Sequence, residues 1–245
     1  MHKLQNGRHV GRVVGLWRYP VKSMGAEALS VVDVSWHGFA GDRRWAFIRS
    51  DVPQSGFPWL TLRERGDMSH YCPSFVEPER PDKSATIVRT PSGTIFDVTD
   101  EALAAALDPG GGLRAIKHDR GIFDTFPLSL ITTQSIARLG EMVGLSLDVQ
   151  RFRPNILVQA YDDERPFAED SWVGRVLRIG GLQMRVDKRD GRCAVITIDP
   201  MTTERNAAIL RAVAQDRRGC LGIYGSTVEP GRVALNDCVF FESSA

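Results

Sequence analysis

Short runs in which apolar and polar residues alternate dominate this chain, and a period of two is typical of β-strands with one buried face. The runs are rich in β-branched and aromatic residues and are bounded by Gly, Pro or Asp. Two intervening turns, Pro91-Ser92-Gly93 and Gly180-Gly181, indicate hairpins. The predicted strands are 10–16, 28–36, 44–49, 86–90, 94–98, 173–179, 182–187 and 233–241.

Three segments show the helical period instead. Residues 100–107 are Ala-rich and end at a Pro/Gly stretch, while 134–143 and 204–215 each place apolar side chains on one face. The pattern therefore predicts an α+β fold that is predominantly β. The Gly-rich stretch 109–112 predicts a boundary between two β-rich units, and the Pro-containing segment 69–83 is predicted to be a loop.

Composition excludes several function classes. The 245 residues are 42% hydrophobic and 25% charged, with a net charge of +1, which gives no global electrostatic basis for binding nucleic acid. No stretch approaches the roughly 20 apolar residues that span a bilayer. The N-terminus lacks the apolar core of a signal peptide. We expect a soluble, cytoplasmic protein.

The four cysteines form no C-x-x-C pair, so we expect no zinc site, iron–sulfur cluster or disulfide framework. Free cysteines are typical of proteins in a reducing cytosol. The five histidines form no metal-ligand pattern. The chain also lacks the G-x-G-x-x-G, Walker A and G-x-S-x-G motifs, which argues against a dinucleotide fold, an NTPase and an α/β-hydrolase.

Cys193 is the strongest candidate for chemistry. It follows a Gly191-Arg192 step, where a turn lets the thiol face a cleft and Arg192 favours the thiolate, a nucleophile and soft metal ligand. The β-rich run 194–198 is predicted to hold it on a rigid strand. A buried structural thiol is the alternative.

Polar groups at other predicted strand ends and turns could form an anion site with this thiol. Each has a structural alternative: a solvated lysine, a surface hairpin with an Arg–Asp pair, or a turn cap. The candidate residues are Lys22, Ser23, Arg43, Asp124, Thr125, Arg153, Asn155 and Arg192.

Taken in order, these motifs resemble the MOSC family, named after the C-terminal domain of molybdenum cofactor sulfurase, and the resemblance covers nearly the whole chain. Tyr-Pro-Val-Lys-Ser at 19–23 and Gly-Asp-Arg at 41–43 match its N-terminal module. Asp-Thr-Phe-Pro at 124–127, Arg-Phe-Arg-Pro-Asn at 151–155 and Gly-Arg-Cys at 191–193 match MOSC itself.

The resemblance implies an N-terminal β-barrel-like module over residues 8–117, followed by a MOSC β-barrel with a few flanking helices over 118–245. It also implies a Mo-molybdopterin cofactor held between the two, with Cys193 as the molybdenum ligand. The residues implied to contact the cofactor are Lys22, Ser23 and Arg43 from the first module, and Asp124, Thr125, Arg153, Asn155 and Arg192 from the second.

Within the family, the resemblance implies the mitochondrial amidoxime-reducing components and similar bacterial proteins as functional relatives. That likeness implies reduction of small N-hydroxylated compounds such as hydroxylamines, amidoximes and hydroxamic acids. These residues include no ferredoxin domain, so we expect a separate electron-donor protein of a ferredoxin, flavodoxin or cytochrome-type reductase system. The alternatives are a carrier that delivers sulfur from a persulfide on Cys193, and a cofactor-storage protein.

The chain departs from the family pattern at two glycines. Thr203 replaces the glycine of Asp-Pro-x-Thr-Gly, and Asn236 replaces the glycine of a C-terminal Gly-Asp. The segment 61–64 only loosely follows the family strand. We expect these changes to bear on the shape of the substrate pocket more than on cofactor binding.

Overall fold

A computed structural model describes residues 7–50, 57–161 and 165–242. Residues 1–6, which carry part of the signal-peptide prediction, lie outside the described residues. None of the described helices has the length and apolar character needed to cross a bilayer.

The described residues are organised mainly as strands. Three α-helices accompany them: α1 (Glu101–Leu107), α2 (Thr133–Val143) and α3 (Ala207–Arg217). The strands are β1 (His9–Arg18), β2 (Glu27–Ala28), β3 (Val31–Ser35), β4 (Gly38–Phe39), β5 (Trp45–Arg49), β6 (Cys72–Phe75), β7 (Thr86–Arg89), β8 (Ile95–Asp97), β9 (Leu113–Lys117), β10 (Leu128–Thr132), β11 (Ile156–Ala160), β12 (Val176–Ile179), β13 (Leu182–Gly191), β14 (Cys220–Glu229), β15 (Gly231–Ala234) and β16 (Cys238–Phe241).

Seven strands close into a β-barrel in the order β11-β10-β14-β13-β12-β16-β1, and β1 pairs with β11 to complete the circle. Every neighbouring pair is antiparallel except β10 with β11. Six of these strands come from the second half of the chain and β1 comes from its beginning. The N-terminal strand is therefore part of the barrel wall.

Of the remaining strands, β2 pairs with β1 beside the barrel, and the others form three small sheets, β15-β3-β4, β5-β9 and β6-β7-β8. The first of these again joins the two ends of the chain, because β15 pairs with β3 over Gly231–Ala234. Each end of the chain therefore contributes a strand that pairs with strands of the other end, and backbone hydrogen bonds join the N-terminal and C-terminal regions.

Three apolar clusters hold these elements in place. The largest joins side chains of all seven barrel strands, among them Leu16, Leu130 and Ile223. A second surrounds α1 and β5 and includes Phe47 and Leu103, and a third packs α2 and α3 beside β10 and β14. The cavity described below is lined by members of the second and third clusters.

The predicted fold class is confirmed, as is the hairpin at Gly180-Gly181, where Ile179 pairs with Leu182 and Gly180 has φ of 56°. The three predicted helices are present with ends shifted by up to three residues. The predicted loop 69–83 is wrong in part, because β6 lies within it and pairs with β7. The predicted strand 233–241 is two strands, β15 and β16, separated by a turn.

The predicted strand after Cys193 is wrong. Residues Ala194–Thr197 form a 3₁₀-helix, in which the Ile196 amide donates to the Cys193 carbonyl at 3.2 Å and the Thr197 hydroxyl to the Ala194 carbonyl at 2.7 Å. Ile196 packs in the third apolar cluster and Ile198 in the second. Because this segment is buried between two apolar clusters, its residues are apolar and β-branched, which is also the usual composition of a β-strand.

Candidate functional site

A cavity of about 340 Å³ is lined by residues from both halves of the chain. Its volume falls in the range of small-molecule sites. All nine residues predicted from the sequence line it: Lys22, Ser23, Arg43, Asp124, Thr125, Arg153, Asn155, Arg192 and Cys193. The structure therefore brings the complete predicted set together.

Three cavity residues have an unusual backbone. Ser23, Arg43 and Arg153 adopt φ of 68°, 50° and 51°, in the left-handed region that side chains other than glycine rarely occupy. Such conformations cost free energy and persist where the surrounding structure imposes them, often at functional sites. Each lies in a connection that leads out of or into a barrel or small-sheet strand.

The Cys193 thiol is half-buried and lies at the start of the 3₁₀-helix. Arg63 of the N-terminal region donates from Nη2 to Cys193 Sγ at 3.5 Å, and its guanidinium lies 5.2 Å from the centre of the Phe57 ring. The hydrogen bond to Cys193 raises the pKa of Arg63. The cation beside the thiol is thus Arg63, which the sequence did not single out.

Arg192 is engaged elsewhere. Its guanidinium donates to the carbonyls of Leu221 at 2.7 Å and Phe152 at 2.9 Å, and it pairs with the buried Asp190 at 2.9 Å. These contacts fix the turn that carries Cys193. Arg192 therefore positions the thiol through the backbone.

Arg151 fixes the other side of that turn. It donates to the Ile196 carbonyl at 3.2 Å and forms an ion pair with Asp199 at 2.7 Å. Burial lowers the pKa of Arg151, although Asp199 opposes the shift. The 3₁₀-helix is consequently held at its carbonyl end by one arginine and at its start by another.

Lys22 and Asp124 form an ion pair across the cavity at 2.5 Å. Burial lowers the pKa of Lys22, which Asp124 partly restores. For Asp124, burial acts to raise the pKa, but Lys22, Arg43 and Arg63 outweigh it and the pKa is lowered. The Asp124 carboxylate therefore stays ionised near neutrality.

Asp42 is a buried aspartate that connects several of the residues around the cavity. Its carboxylate accepts from the Tyr19 amide at 2.7 Å, from Asn155 Nδ2 at 3.0 Å and from the Arg43 guanidinium. The Asn155 side chain also donates to the Trp17 carbonyl at 3.2 Å and accepts from the Ser129 amide and hydroxyl. Asn155 makes all its side-chain hydrogen bonds within the protein and reaches the cavity through Asp42 and Arg43.

Arg153 has no carboxylate partner among the described residues. Its guanidinium lies 4.2 Å from the centre of the Tyr19 ring, and that of Arg43 lies 4.6 Å from the same ring. Burial, with a contribution from Arg43, lowers the pKa of Arg153 to about 10. An anion bound beside Arg153 would stabilise its charged form and raise its pKa again. This position therefore favours an anionic ligand.

The charges around the cavity leave two cations uncompensated. Lys22, Arg43, Arg151 and Arg192 each have an aspartate partner, whereas Arg63 and Arg153 have no ion pair within the described ranges. A phosphate monoester carries nearly two negative charges at neutral pH and is bound well by guanidinium groups. Arg153 therefore offers a position for such an anionic group, while Arg63 lies beside the Cys193 thiol.

A metal could not be held here by protein side chains alone. No group of three or more His, Cys, Asp or Glu suited to a metal ion occurs in the described parts of the chain. Cys193 could supply one soft ligand. Any metal beside it would need its other ligands from a bound organic group.

Sequence reasoning missed four residues that organise the site. Arg63 lies in a segment noted only for departing from the family pattern, and Asp42 was considered only as half of a surface ion pair. Asp190 lies in the same motif as Cys193, and an acidic side chain close to the candidate thiol is the sequence signal that could have identified it. Tyr224 lies within the long strand β14, and nothing in its neighbourhood marks it.

Two family models match the chain. The model for the MOSC domain matches residues 117–240, and that for the MOSC N-terminal beta barrel domain matches residues 10–90. Together these ranges contain every residue predicted for the site.

Similar curated proteins carry two kinds of name. Molybdenum cofactor sulfurase of Caenorhabditis briggsae is 28% identical over 90% of this chain and 34% of its own length. Molybdenum cofactor sulfurase of Danio rerio is 40% identical over 31% of this chain and 9% of its own. Mitochondrial amidoxime-reducing component 1 of Homo sapiens is 33% identical over 32% of this chain and 22% of its own. The chain thus spans about a third of the length of the Caenorhabditis briggsae sulfurase.

Proposed function

This chain belongs to the MOSC domain family, and we propose that it is a molybdenum-cofactor-dependent oxidoreductase that reduces N-hydroxylated compounds. The observation that carries this proposal is the opening of the Cys193 thiol and the unpaired Arg153 guanidinium into one cavity. We further propose residues 8–117 and 118–245 as its two modules, supported by the ranges of the two family matches.

The residues of the cavity fit Mo-molybdopterin. Arg153 supplies positive charge for its phosphate, and Cys193, with Arg63 beside it, supplies a soft thiolate for a metal whose remaining ligands come from the cofactor. When bound, the cofactor would supply two-electron redox chemistry. The residues proposed to hold it are Cys193 at the metal and, around the organic part, Lys22, Ser23, Arg43, Asp124, Thr125 and Arg153. Asn155 and Arg192 also line the cavity and are proposed to act through the groups that they hold in place.

The protein's own contribution is binding and orientation. Asp42 fixes Arg43, while Arg192 and Arg151 fix the turn that carries the thiol. The aromatic side chains of Phe57, Phe123 and Phe126 line the cavity wall. These contacts would hold the substrate and the cofactor in a fixed orientation relative to each other.

Replacement of the thiol tests the proposal. Cys193→Ser is expected to lower benzamidoxime reduction by loaded protein, with dithionite-reduced methyl viologen as donor, by at least about 100-fold. The unfolding midpoint should hardly change, since the thiol is half-buried and makes one side-chain hydrogen bond. Cys220→Ser is the matched control, because Cys220 is also half-buried but does not line the cavity. Undiminished reduction by Cys193→Ser would refute the ligand role.

A sulfur carrier is the second candidate. The relative that matches most of this chain is named as a molybdenum cofactor sulfurase, and Arg63 could stabilise the anion of a persulfide on Cys193 as well as a thiolate. Incubation with a cysteine desulfurase and cysteine, followed by mass spectrometry, tests it. A persulfide on Cys193 of protein that contains no molybdenum would favour the carrier, whereas its absence would exclude this role.

The proposed reductase needs a small-molecule substrate and an external electron-donor protein, of a ferredoxin, flavodoxin or cytochrome-type reductase system. We propose a cytoplasmic location. The four cysteines are all free and two of them, Cys72 and Cys238, are exposed, which suits a reducing compartment.

A further inference from the structure

A buried carboxyl group at the cavity wall is not explained by cofactor binding. Asp190 lies near the end of β13, is 2% exposed and lines the cavity. It pairs with Arg192 at 2.9 Å, and the Tyr224 side chain of the neighbouring strand β14 acts on its carboxyl group as a hydrogen-bond partner that lowers its pKa. Tyr224 also lines the cavity, with its ring centre 6.4 Å from that of Phe126.

The charged and titratable groups that act on Asp190 are Arg192 beside it, Tyr224 of β14, Lys188 of its own strand and Arg43 of the N-terminal region. Burial raises the pKa of Asp190 to about 6, although Arg192 and the Tyr224 hydrogen bond oppose the shift. Burial and the Asp190 charge also raise the pKa of Tyr224. Asp190 thus exchanges a proton within the range in which enzymes work.

The other acidic side chain at the cavity cannot serve in this way. Asp124 is paired with Lys22 and its pKa is lowered, so it carries no proton near neutrality. Among the carboxyl groups that line the cavity, Asp190 alone is buried, protonatable and joined to a hydroxyl that also lines it.

We propose that Tyr224 and Asp190 form the proton-delivery pair of this cavity. The inference rests on the proposed function, because reduction of an N-hydroxyl group consumes protons: R–NHOH + 2e⁻ + 2H⁺ gives R–NH₂ + H₂O. The N–O bond breaks, the oxygen leaves as water, and the external donor supplies both electrons. The Tyr224 hydroxyl donates a proton to the departing oxygen, Asp190 restores it, and solvent reprotonates Asp190 for the second transfer.

Protein without cofactor provides the first test. With ¹³C-labelled aspartate, the Asp190 carboxyl signal, assigned by its loss in Asp190→Asn, should titrate near pH 6. Tyr224→Phe should move that midpoint upwards, because it removes a hydrogen bond that stabilises the ionised carboxylate. Tyr161→Phe, which alters a tyrosine bonded to His9 outside the cavity, should leave it unchanged. A midpoint near pH 4, or no response to Tyr224→Phe, overturns the pair.

Loaded enzyme provides the second test, with benzamidoxime and dithionite-reduced methyl viologen. Tyr224→Phe should lower kcat by about 100-fold, the usual contribution of a general acid, while KM and molybdenum content stay constant. The wild-type kcat should fall as pH rises above about 6, and the variant should lose that dependence. Turnover by wild type with an unimpaired Tyr224→Phe overturns the proton assignment alone, whereas no turnover by loaded wild type overturns the proposed function.

Discussion

At the scale of single residues, the cavity is defined by how its cations are paired. Arg43, Arg151 and Arg192 each form an ion pair with an aspartate and donate to a backbone carbonyl, which makes them supports of the site. Within the described ranges, Arg153 has an aromatic contact with Tyr19 and no ion pair. The residue free to meet an anionic ligand is therefore the one that is incompletely satisfied by the protein.

Arg153→Met tests this distinction. Loss of a charge-assisted contact of roughly 1.5–3 kcal/mol should weaken binding of the anionic cofactor by about 10- to 100-fold. Equilibrium binding of released cofactor to cofactor-free protein measures it. Arg138→Met is the matched control, because Arg138 is exposed on α2 and pairs with Glu141. Equal affinity for the two variants would remove Arg153 from the site.

Asp190 also makes the stability depend on pH. Its folded pKa of about 6 exceeds the value of roughly 3.9 for a free aspartate, so its stabilising contribution is complete below about pH 4 and is lost as pH rises through 6. From pH 4 to 7 the free energy of unfolding of wild type should fall by on the order of 2 kcal/mol more than that of Asp190→Asn.

Urea unfolding at several pH values measures that difference. The buried Glu169, whose pKa burial also raises, contributes equally to both proteins and cancels. Asp216→Asn, at an exposed position on α3, should follow the wild type. A pH dependence shared by wild type and Asp190→Asn would show that Asp190 titrates normally.

The sequence was informative about individual residues where several polar groups share one motif. Arg43, Arg153 and Cys193 stood out in this way, and all three line the cavity. Arg63 did not, because its contact with Cys193 joins positions 130 residues apart in the chain. Contacts of that kind depend on how the two modules pack, which local patterns do not encode.

At the scale of elements, the segment after Cys193 shows the limit of composition. A run of β-branched apolar residues predicts a strand, yet here it forms a 3₁₀-helix wedged between two apolar clusters. In contrast, the Gly180-Gly181 hairpin was predictable because a two-residue turn fixes the register locally. Burial can be read from such patterns more reliably than backbone conformation.

Two residues in different loops have a backbone conformation that is typical of glycine. Thr203 has φ of 64° and Asn236 has φ of 71°, at the two positions where the family pattern has glycine. Asn tolerates this conformation, whereas a β-branched residue is strained in it.

Thr203→Gly should consequently stabilise the protein. Relief of roughly 1–2 kcal/mol of strain exceeds the entropic cost of roughly 0.5–1 kcal/mol for glycine, which leaves a gain of about 0.5–1 kcal/mol. Thermal unfolding should show a midpoint about 2 °C higher. Thr202→Gly, at a neighbouring position without positive φ, should lower the midpoint. A lower midpoint for Thr203→Gly would mean that residue 203 is unstrained.

At the scale of the whole molecule, the two proposed modules are interleaved by strand exchange. β1 closes the barrel between β11 and β16, and β15 pairs with β3. Calorimetry of the intact chain should therefore show one transition with equal calorimetric and van't Hoff enthalpies. Two separate transitions would show that the modules unfold independently.

Interleaving also explains why one cavity draws on distant parts of the chain. Lys22, Arg43 and Arg63 from the first module meet Arg153 and Cys193 from the second, and neither group alone would hold a doubly charged ligand beside a thiol. The central claim is that this shared cavity holds a molybdenum cofactor.

Metal and pterin analysis of the purified chain tests that claim most directly. After expression in a host that makes the cofactor, molybdenum is measured by mass spectrometry and pterin by fluorescence after oxidation. We predict close to one molybdenum and one pterin per chain, both reduced in Arg153→Met and unchanged in Arg138→Met. Protein that is folded but contains neither molybdenum nor pterin would contradict the account.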